Sequence, residues 1–348
     1  MTPEQTCGQS TRNIGLILVS FVFLLTPIGC RDQSSPQTVQ QVPKDPLPSW
    51  NDTAPKKNIL AFVEKVSKEA SPDFVAPADR IATFDNDGTL WVEAPVYTQV
   101  VFAFDQVKRM APQHPEWKNK QPFKGILDGD MKSVLATGEK GLVAVTIAAS
   151  TGMSNQEFHQ SISDWIAQAH DRRFNRTYTE LTYQPMVELL AYLRANGFKT
   201  YIVSGGDIDF MRPWTDKAYG IPAEQVVGTS MKTQLQSQNG APVIMRLPQL
   251  NFLDDGPGKP VGIDNYIGKR PIAAFGNSDG DQQMLEWTAT GAGPRFMLLV
   301  HHTDAAREYA YDRTSAVGKL DKALDEANAK GGTVVSMKDD WNKIFAFQ

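Results

Sequence analysis

The chain has 348 residues, a net charge of -4, 41% hydrophobic and 21% charged residues. These values suit a globular protein of one large domain or two ordinary ones; they exclude collagen-like, wholly disordered and multi-span membrane chains. No broad basic field is available for phosphate backbones, so nucleic-acid binding is not expected. Both cysteines, Cys7 and Cys30, lie in the first thirty residues, which leaves the body without a disulfide, a thiolate metal site or a cysteine nucleophile.

In chain order, Ile14 to Leu25 (IGLILVSFVFLL) is an apolar run behind Arg12. It is shorter than the roughly 20 residues of a spanning helix and suits the apolar region of a signal peptide. It ends in Thr26-Pro27-Ile28-Gly29-Cys30, which resembles the lipobox of bacterial lipoproteins, with Pro27 where leucine is usual. The resemblance implies a signal over 1–29, lipidation of Cys30 and a membrane anchor in the cell envelope, the outer membrane being favoured because Arg31 rather than Asp follows the cysteine. Plain secretion or an uncleaved anchor are the alternatives. Residues 30–57, polar and Pro-containing, read as a flexible tether, and 58–348 as the folded body.

The body alternates strands and helices. Arg80 to Phe84 is a short apolar run of buried-strand type. Gln184 to Asn196 places Met186, Leu189, Leu190 and Leu193 on one helical face, and Gly197 ends it. Lys199 to Val203, Pro271 to Phe275 and Phe296 to Val300 are further buried strands, with a turn expected at Gly205-Gly206. The order implies an α/β fold with a doubly wound parallel sheet. Residues 96–182 read as a helical insertion, with Val100, Phe104 and Val107 on one face and Phe158, Ile162, Trp165 and Ile166 on another. The insertion leaves from the carboxyl end of the first strand, where open α/β sheets bind ligands, and so suits a cap.

Phe84-Asp85-Asn86-Asp87-Gly88-Thr89-Leu90-Trp91 carries two carboxylates two positions apart at a strand end. Close anions call for a cation, here Mg²⁺. A calcium loop would need Glu at the twelfth position, which is Val96. Ser204-Gly205-Gly206 offers a hydroxyl and backbone N–H groups to phosphate oxygens. Lys259 offers a cation, and Gly276-Asn277-Ser278-Asp279-Gly280-Asp281 more oxygen ligands.

These four segments in this order resemble the haloacid dehalogenase superfamily of phosphohydrolases, over about 80 to 300. The resemblance implies a Rossmann-like core with a C1 cap, Asp85 as nucleophile, and Asp87 as general acid and base. It implies phosphate binding by Ser204, Gly205 and Lys259; Lys269 is the competitor, but Lys259 is favoured because it opens the segment before the last motif strand, whereas Lys269, in Gly268-Lys269-Arg270-Pro271, looks like a turn at the strand entrance on the opposite edge of the sheet. Mg²⁺ would be held by Asp85, Asp87, Asn277 and Asp281. The usual acid after Gly276 is Asn277 here, so Asp279 or Asp281 could replace it. The second aspartate separates phosphatases from the family's dehalogenases, which lack it. The expected activity is hydrolysis of a small phosphorylated metabolite in the cell envelope. The rivals are a non-catalytic lipoprotein binding a small anion, and a phosphomutase, which export from the sugar-phosphate pool disfavours. The layout also resembles the phosphoserine phosphatase branch, which would place Glu93 and Trp91 against substrate. His301-His302, at the end of the FMLLV strand, reads as structural.

The anchor is directly testable. Cys30→Ser should move the protein to the soluble fraction on fractionation, because multi-chain lipidation anchors stably and its loss removes the proposed acceptor. Membrane retention with the signal still cleaved would exclude the lipidated-cysteine reading.

Overall fold

The computed structural model describes residues 45–348; the signal, Cys7 and Cys30 lie outside the described residues. The folded body begins earlier than expected. Leu47 and Trp50 are fully buried, Trp50 packs edge-on against Trp341 at 5.7 Å, and its Nε1 donates to Pro185 O. The segment 45–57, read as tether, is therefore core: its few large apolar residues are used against the C-terminal segment. The helix Ala54–Ser67 follows, with Pro55 in its first turn, where a missing N–H costs nothing.

The strands are β1 (Ile81–Phe84), β2 (His170–Asp171), β3 (Arg176–Thr177), β4 (Lys199–Asp207), β5 (Val226–Gln238), β6 (Ala241–Phe252), β7 (Ala273–Gly276), β8 (Phe296–His301) and β9 (Thr333–Ser336). Seven form one sheet in the order β6-β5-β4-β1-β7-β8-β9, parallel except for the antiparallel pair β5–β6. β1 pairs with β4 on one side (Phe84 opposite Ile202) and β7 on the other (Phe84 opposite Phe275). All four of its residues are buried, as a central parallel strand requires. The carboxyl ends of β4, β1 and β7 therefore lie side by side, and the chemistry-bearing segments follow them.

The stretch after β1 is helical, as its apolar spacing implied: Thr98–Met110, Phe123–Asp128, Met131–Leu135, Gly138–Ala148 and Asn155–Ile166, then the β2–β3 ribbon. Val100, Phe104 and Val107 join Trp117, Phe123, Ile126, Val134 and Val145 in a core of their own. Phe158, Ile162 and Ile166 instead pack into the core beneath the sheet. The last helix opens on a capping box, Ser154 with Glu157, which satisfies two orphan N–H groups.

Two local readings change. β4 runs through Gly205-Gly206 to Asp207 rather than turning there. It follows β5 through an irregularity between Ser204 and Asp207, and Gly228 on β5 leaves room for the Gly206 carbonyl, which a side chain there would meet. The second change is the long β5–β6 hairpin between Ser204 and Lys259. It turns at Asn239-Gly240, both left-handed (φ 52° and 80°), the signature of a two-residue hairpin turn.

This hairpin is tied to the cap and to β4 by one side chain. Arg246 on β6 is 1% exposed, donates to Asp207 and to Asp209 (2.5 Å), and lies 4.2 Å from the Phe158 ring centroid. Its backbone N–H donates to Met153 O on the cap. Removing one partner of a buried pair strands the other charges. Arg246→Met should cost about 3–5 kcal/mol, read as a lower denaturation midpoint in urea.

Candidate active site

Asp85 follows β1 with its N–H on Phe275 O (2.9 Å), so the strand pairing itself fixes its backbone. Gly88, at φ +74°, lets the chain reverse, and Thr89 and Leu90 donate back to Asn86 O. The reversal carries Trp91 under the turn. Trp91 is fully buried, stacks on Trp214 at 4.2 Å, and donates from Nε1 to Asp87 Oδ1 at 2.9 Å. Expected against substrate, Trp91 is instead a support of Asp87, because the turn leaves its ring nowhere but the core.

Lys259, in the first turn of the helix Gly258–Tyr266, is 1% exposed. Its ammonium donates to Asp85 Oδ1 (2.8 Å), Asp281 Oδ1 (2.7 Å) and Val203 O (2.8 Å), so its three hydrogens join the ends of β1, β7 and β4. Lys269 sits at the strand entrance, paired with Asp79 at 2.6 Å, and is not part of the cluster. Burial alone would lower Lys259, but Asp281 and Asp85 more than reverse it, and the lysine stays charged.

Asp281, expected as a metal ligand, is committed elsewhere. Oδ1 holds Lys259, while Oδ2 accepts from the N–H groups of Asn277 and Ser278 (3.0 Å each) and from the Ser278 hydroxyl. It closes the turn after β7 and holds the lysine. Asp279 accepts from the backbone of Asp321 and Ala323 and is likewise committed to structure. Asn277 is the residue of that segment brought to the first motif, with Oδ1 accepting from Thr89 Oγ1 at 2.8 Å.

Ser204 is 1% exposed and its hydroxyl accepts from Gly206 N–H at 3.2 Å, while Gly205 is exposed. Gln99, from the cap helix, accepts from Asp207 N–H at 2.8 Å and so brings the cap onto the end of β4. Glu93, also expected against substrate, is 3% exposed and hydrogen-bonded to Asn277 Nδ2 (2.7 Å) and Tyr311 OH (2.8 Å). It lies behind the turn, because Val92 N–H pairs with Leu181 O and directs the chain inward.

The loop that follows β8 is marked in the sequence only by His302. His302 Nε2 lies 2.8 Å from Gly88 O and Nδ1 lies 3.1 Å from Glu308 Oε2. Glu308 also accepts from Tyr183 OH and Tyr309 N–H. His302 thus holds the Asp85–Gly88 turn from behind, in keeping with the structural role expected of it. Glu308 and Tyr311 carry no motif, and only the fold reveals them. For the β5–β6 hairpin, Asn239-Gly240 was the available signal.

The charges are unbalanced. Asp85 and Asp281 share the single lysine, and Asp87 and Glu93 lie close enough to add to the negative charge. Burial and Asp281 push Asp85 up against the pull of Lys259. Burial pushes Asp87 up to about 6, with Trp91 and Asn86 opposing. Burial drives Glu93 well above the usual carboxylate range, and Asp87 and Asp85 add to it. Such an excess of acceptors suits a cation. Among the described residues no three acidic, His or Cys side chains form a ready metal cage. Mg²⁺ needs none, since it binds through one or two carboxylates with waters and substrate phosphate. Asp85, Asp87 and the Asn277 amide oxygen fit that requirement. Cavities of about 420 and 470 Å³ lie on the cap, lined by residues such as Asp105 and Trp165, or Trp117 and Ile147, and include none of these groups.

One buried acid next to the cluster gives a stability test. Asp254 is 0% exposed, neither carboxyl oxygen has a side-chain partner among the described residues, and a side chain on Gly262 would collide with it. Burial pushes it up to about 7, with Lys259 opposing. Its folded pKa lies above the ordinary ~3.9 of an unfolded Asp. The stability this difference contributes is therefore complete below about pH 4 and is lost as pH rises through 7. Asp254→Asn should match wild type near pH 4 and be more stable at pH 8, by up to roughly 4 kcal/mol, in paired denaturation curves.

The chain matches the family described as haloacid dehalogenase-like hydrolase over residues 82–286. Among curated proteins none matches it significantly in sequence. A conserved functionally unknown protein from Anaerococcus prevotii superposes with a TM-score of 0.51 at 16% identity, covering 81% of this chain and 91% of that one. A protein of unknown function from Bordetella pertussis gives 0.46 at 15% identity, covering 74% and 99%. A phosphoserine phosphohydrolase-like protein from Francisella tularensis gives 0.38 at 16%, covering 74% and 94%. At such identities the structural likeness concerns the fold alone. The family match spans more than half of the chain and takes in Asp85, Asp87, Ser204, Lys259, Asn277 and Asp281; the chain belongs to the haloacid dehalogenase-like hydrolases.

Proposed function

We propose that the protein is a Mg²⁺-dependent phosphomonoesterase acting through a phosphoenzyme at Asp85, anchored by Cys30 in the cell envelope and acting on a small phosphorylated metabolite. The observation that carries this reading is the pair Asp85 and Asp87 at the end of the central strand, with Lys259 bonded to Asp85. Asp85 Oδ1 is held by the lysine, which orients the carboxylate for attack on phosphorus. Asp87 Oδ1 is held by Trp91, and Oδ2 lies on the Gly206 side of the site, beside the segment proposed to hold phosphate.

Asp87, raised to about 6, keeps a proton available near neutral pH. It gives this proton to the leaving oxygen and then accepts one from the water that attacks the Asp85 phosphoester. Ser204 and Gly205 N–H steady the phosphoryl oxygens, which carry the charge in a loose transition state, while Lys259, its hydrogens engaged by Asp85, Asp281 and Val203 O, adds its positive charge from beside Asp85. Mg²⁺ held by Asp85 and Asn277 would supply the remaining charge neutralisation, leaving the Asp87 carboxyl free to carry its proton. Glu93, buried behind the turn, is not available to a substrate amine, so the phosphoserine-type recognition loses its acid.

Turnover of a generic aryl phosphate should require Mg²⁺ and vanish in Asp85→Asn. Asp87→Asn should lose about 10²–10⁴ in rate on alkyl phosphates and less on an activated aryl phosphate, whose leaving group needs little protonation. With the aryl substrate, phosphate should accumulate on Asp85 and map there by peptide analysis. Phosphate on Ser204, or near wild-type turnover in Asp85→Asn, would sink the mechanism. No turnover across a broad phosphoester panel with Mg²⁺ would favour an anion-binding lipoprotein.

A further inference from the structure

The first turn of the cap helix Thr98–Met110 brings Gln99 onto the end of β4. Its Oε1 accepts from Asp207 N–H at 2.8 Å. A backbone N–H only donates, so the amide carbonyl faces Asp207 and the NH₂ takes the other side. Among the described residues this is the amide's one hydrogen bond, and the side chain is partly exposed. The donor end is therefore left to whatever enters from solvent.

Gly206 opens a gap beside this amide. A methyl group there would lie 3.2 Å from Gln99 Oε1, 3.5 Å from Ser204 Oγ and 3.7 Å from Asp87 Oδ2. Gly206 is not among the left-handed glycines, so its backbone does not call for glycine; what glycine supplies here is room. The gap is thus bounded by the cap amide, by the hydroxyl proposed to hold phosphate, and by the acid proposed to protonate the leaving oxygen. The alcohol part of a phosphoester held between Ser204 and Asp87 lies against Gln99.

We infer that Gln99 is a specificity-determining residue whose NH₂ donates to a hydroxyl oxygen on the carbon next to the ester oxygen, and that the preferred substrates are phosphate esters of polyols. The inference rests on the phosphatase reading of the site. The amide is uncharged, so it suits a neutral hydroxyl, where a carboxylate would call for a cation. A plain alkyl ester of the same length displaces water from the donor and gives it no partner, which penalises that ester. The two ends of the side chain have separate tasks: the carbonyl holds the cap to β4, and the NH₂ selects the alcohol.

The test compares kcat/KM for glycerol 1-phosphate and propyl phosphate, which share a carbon chain and differ in their hydroxyls, using the full chain with Mg²⁺. Wild type should favour glycerol 1-phosphate by about 3–10-fold, the worth of one neutral hydrogen bond. Gln99→Glu keeps an oxygen for Asp207 N–H but loses the NH₂. Its added charge acts on both esters alike, so the preference itself should disappear. Gln99→Met loses both ends without adding charge, and the preference should disappear there too. A ratio of two substrates does not depend on how much of a preparation is folded, so a destabilised variant still reports. A side chain that only holds the cap would leave the ratio at its wild-type value in Gln99→Glu. That result, or a wild type that turns over an aryl phosphate without preferring glycerol 1-phosphate, would overturn the inference and leave the phosphatase reading standing. A wild type that hydrolyses no phosphoester would overturn both.

Discussion

The ammonium of Lys259 is the point on which the rest of the site depends. It comes from the helix that follows the β5–β6 hairpin, yet all its hydrogens are spent on the ends of three parallel strands. A lysine is strongly hydrated in water, and its burial is tolerable only because Asp85 and Asp281 surround it. In return it fixes the Asp85 carboxylate and holds the turn after β7 through Asp281. The sheet order brings β4, β1 and β7 together; the lysine sets their ends in one register for chemistry. Asp281 shows the division of labour. It keeps the acidic residue type expected of a metal ligand, but its oxygens are saturated by Lys259 and by the turn it caps.

Behind this cluster lies a second layer built by the loop after β8. Both ring nitrogens of His302 face acceptors, the Gly88 carbonyl and the Glu308 carboxylate, so the ring acts as a donor to the turn after β1. The same loop receives Arg173 of the cap, which donates to Ala305 O at 2.8 Å and lies 4.3 Å from the Tyr309 ring centroid. Cap and turn are thus held by one segment. On the opposite side Arg246 joins the cap to the hairpin, and Gln99 joins it to β4. The two aspartates sit beneath these attachments, in a setting where desolvation raises both. Desolvation of this kind is what makes a carboxyl group useful as an acid near neutral pH.

The sequence by itself determined the parallel strands, the helical insertion and the residues of the cluster. The reason is local: a buried strand must be continuously apolar, an amphipathic helix must repeat near 3.6, and the cluster residues follow strand ends or open helices in an order that resembles a known family, although Asp-x-Asp-Gly alone would also suit a plain turn. It also separated Lys259 from Lys269, by their positions at opposite ends of the strands. What only the tertiary structure decided was the use of each polar atom. Trp91 and Glu93 follow the motif closely enough to seem substrate-facing, but a left-handed Gly88 turns the chain back and buries both. Asn277 and Asp281 are equivalent as oxygen donors in sequence, and hydrogen bonds from distant Thr89 and Lys259 give them different tasks. Leu47 and Trp50 lie in a polar stretch that no periodicity marks, and their burial depends on Trp341 and Pro185, far along the chain. Apolar period is written residue by residue, whereas the partner of a buried polar group comes from contacts that close only when the sheet assembles.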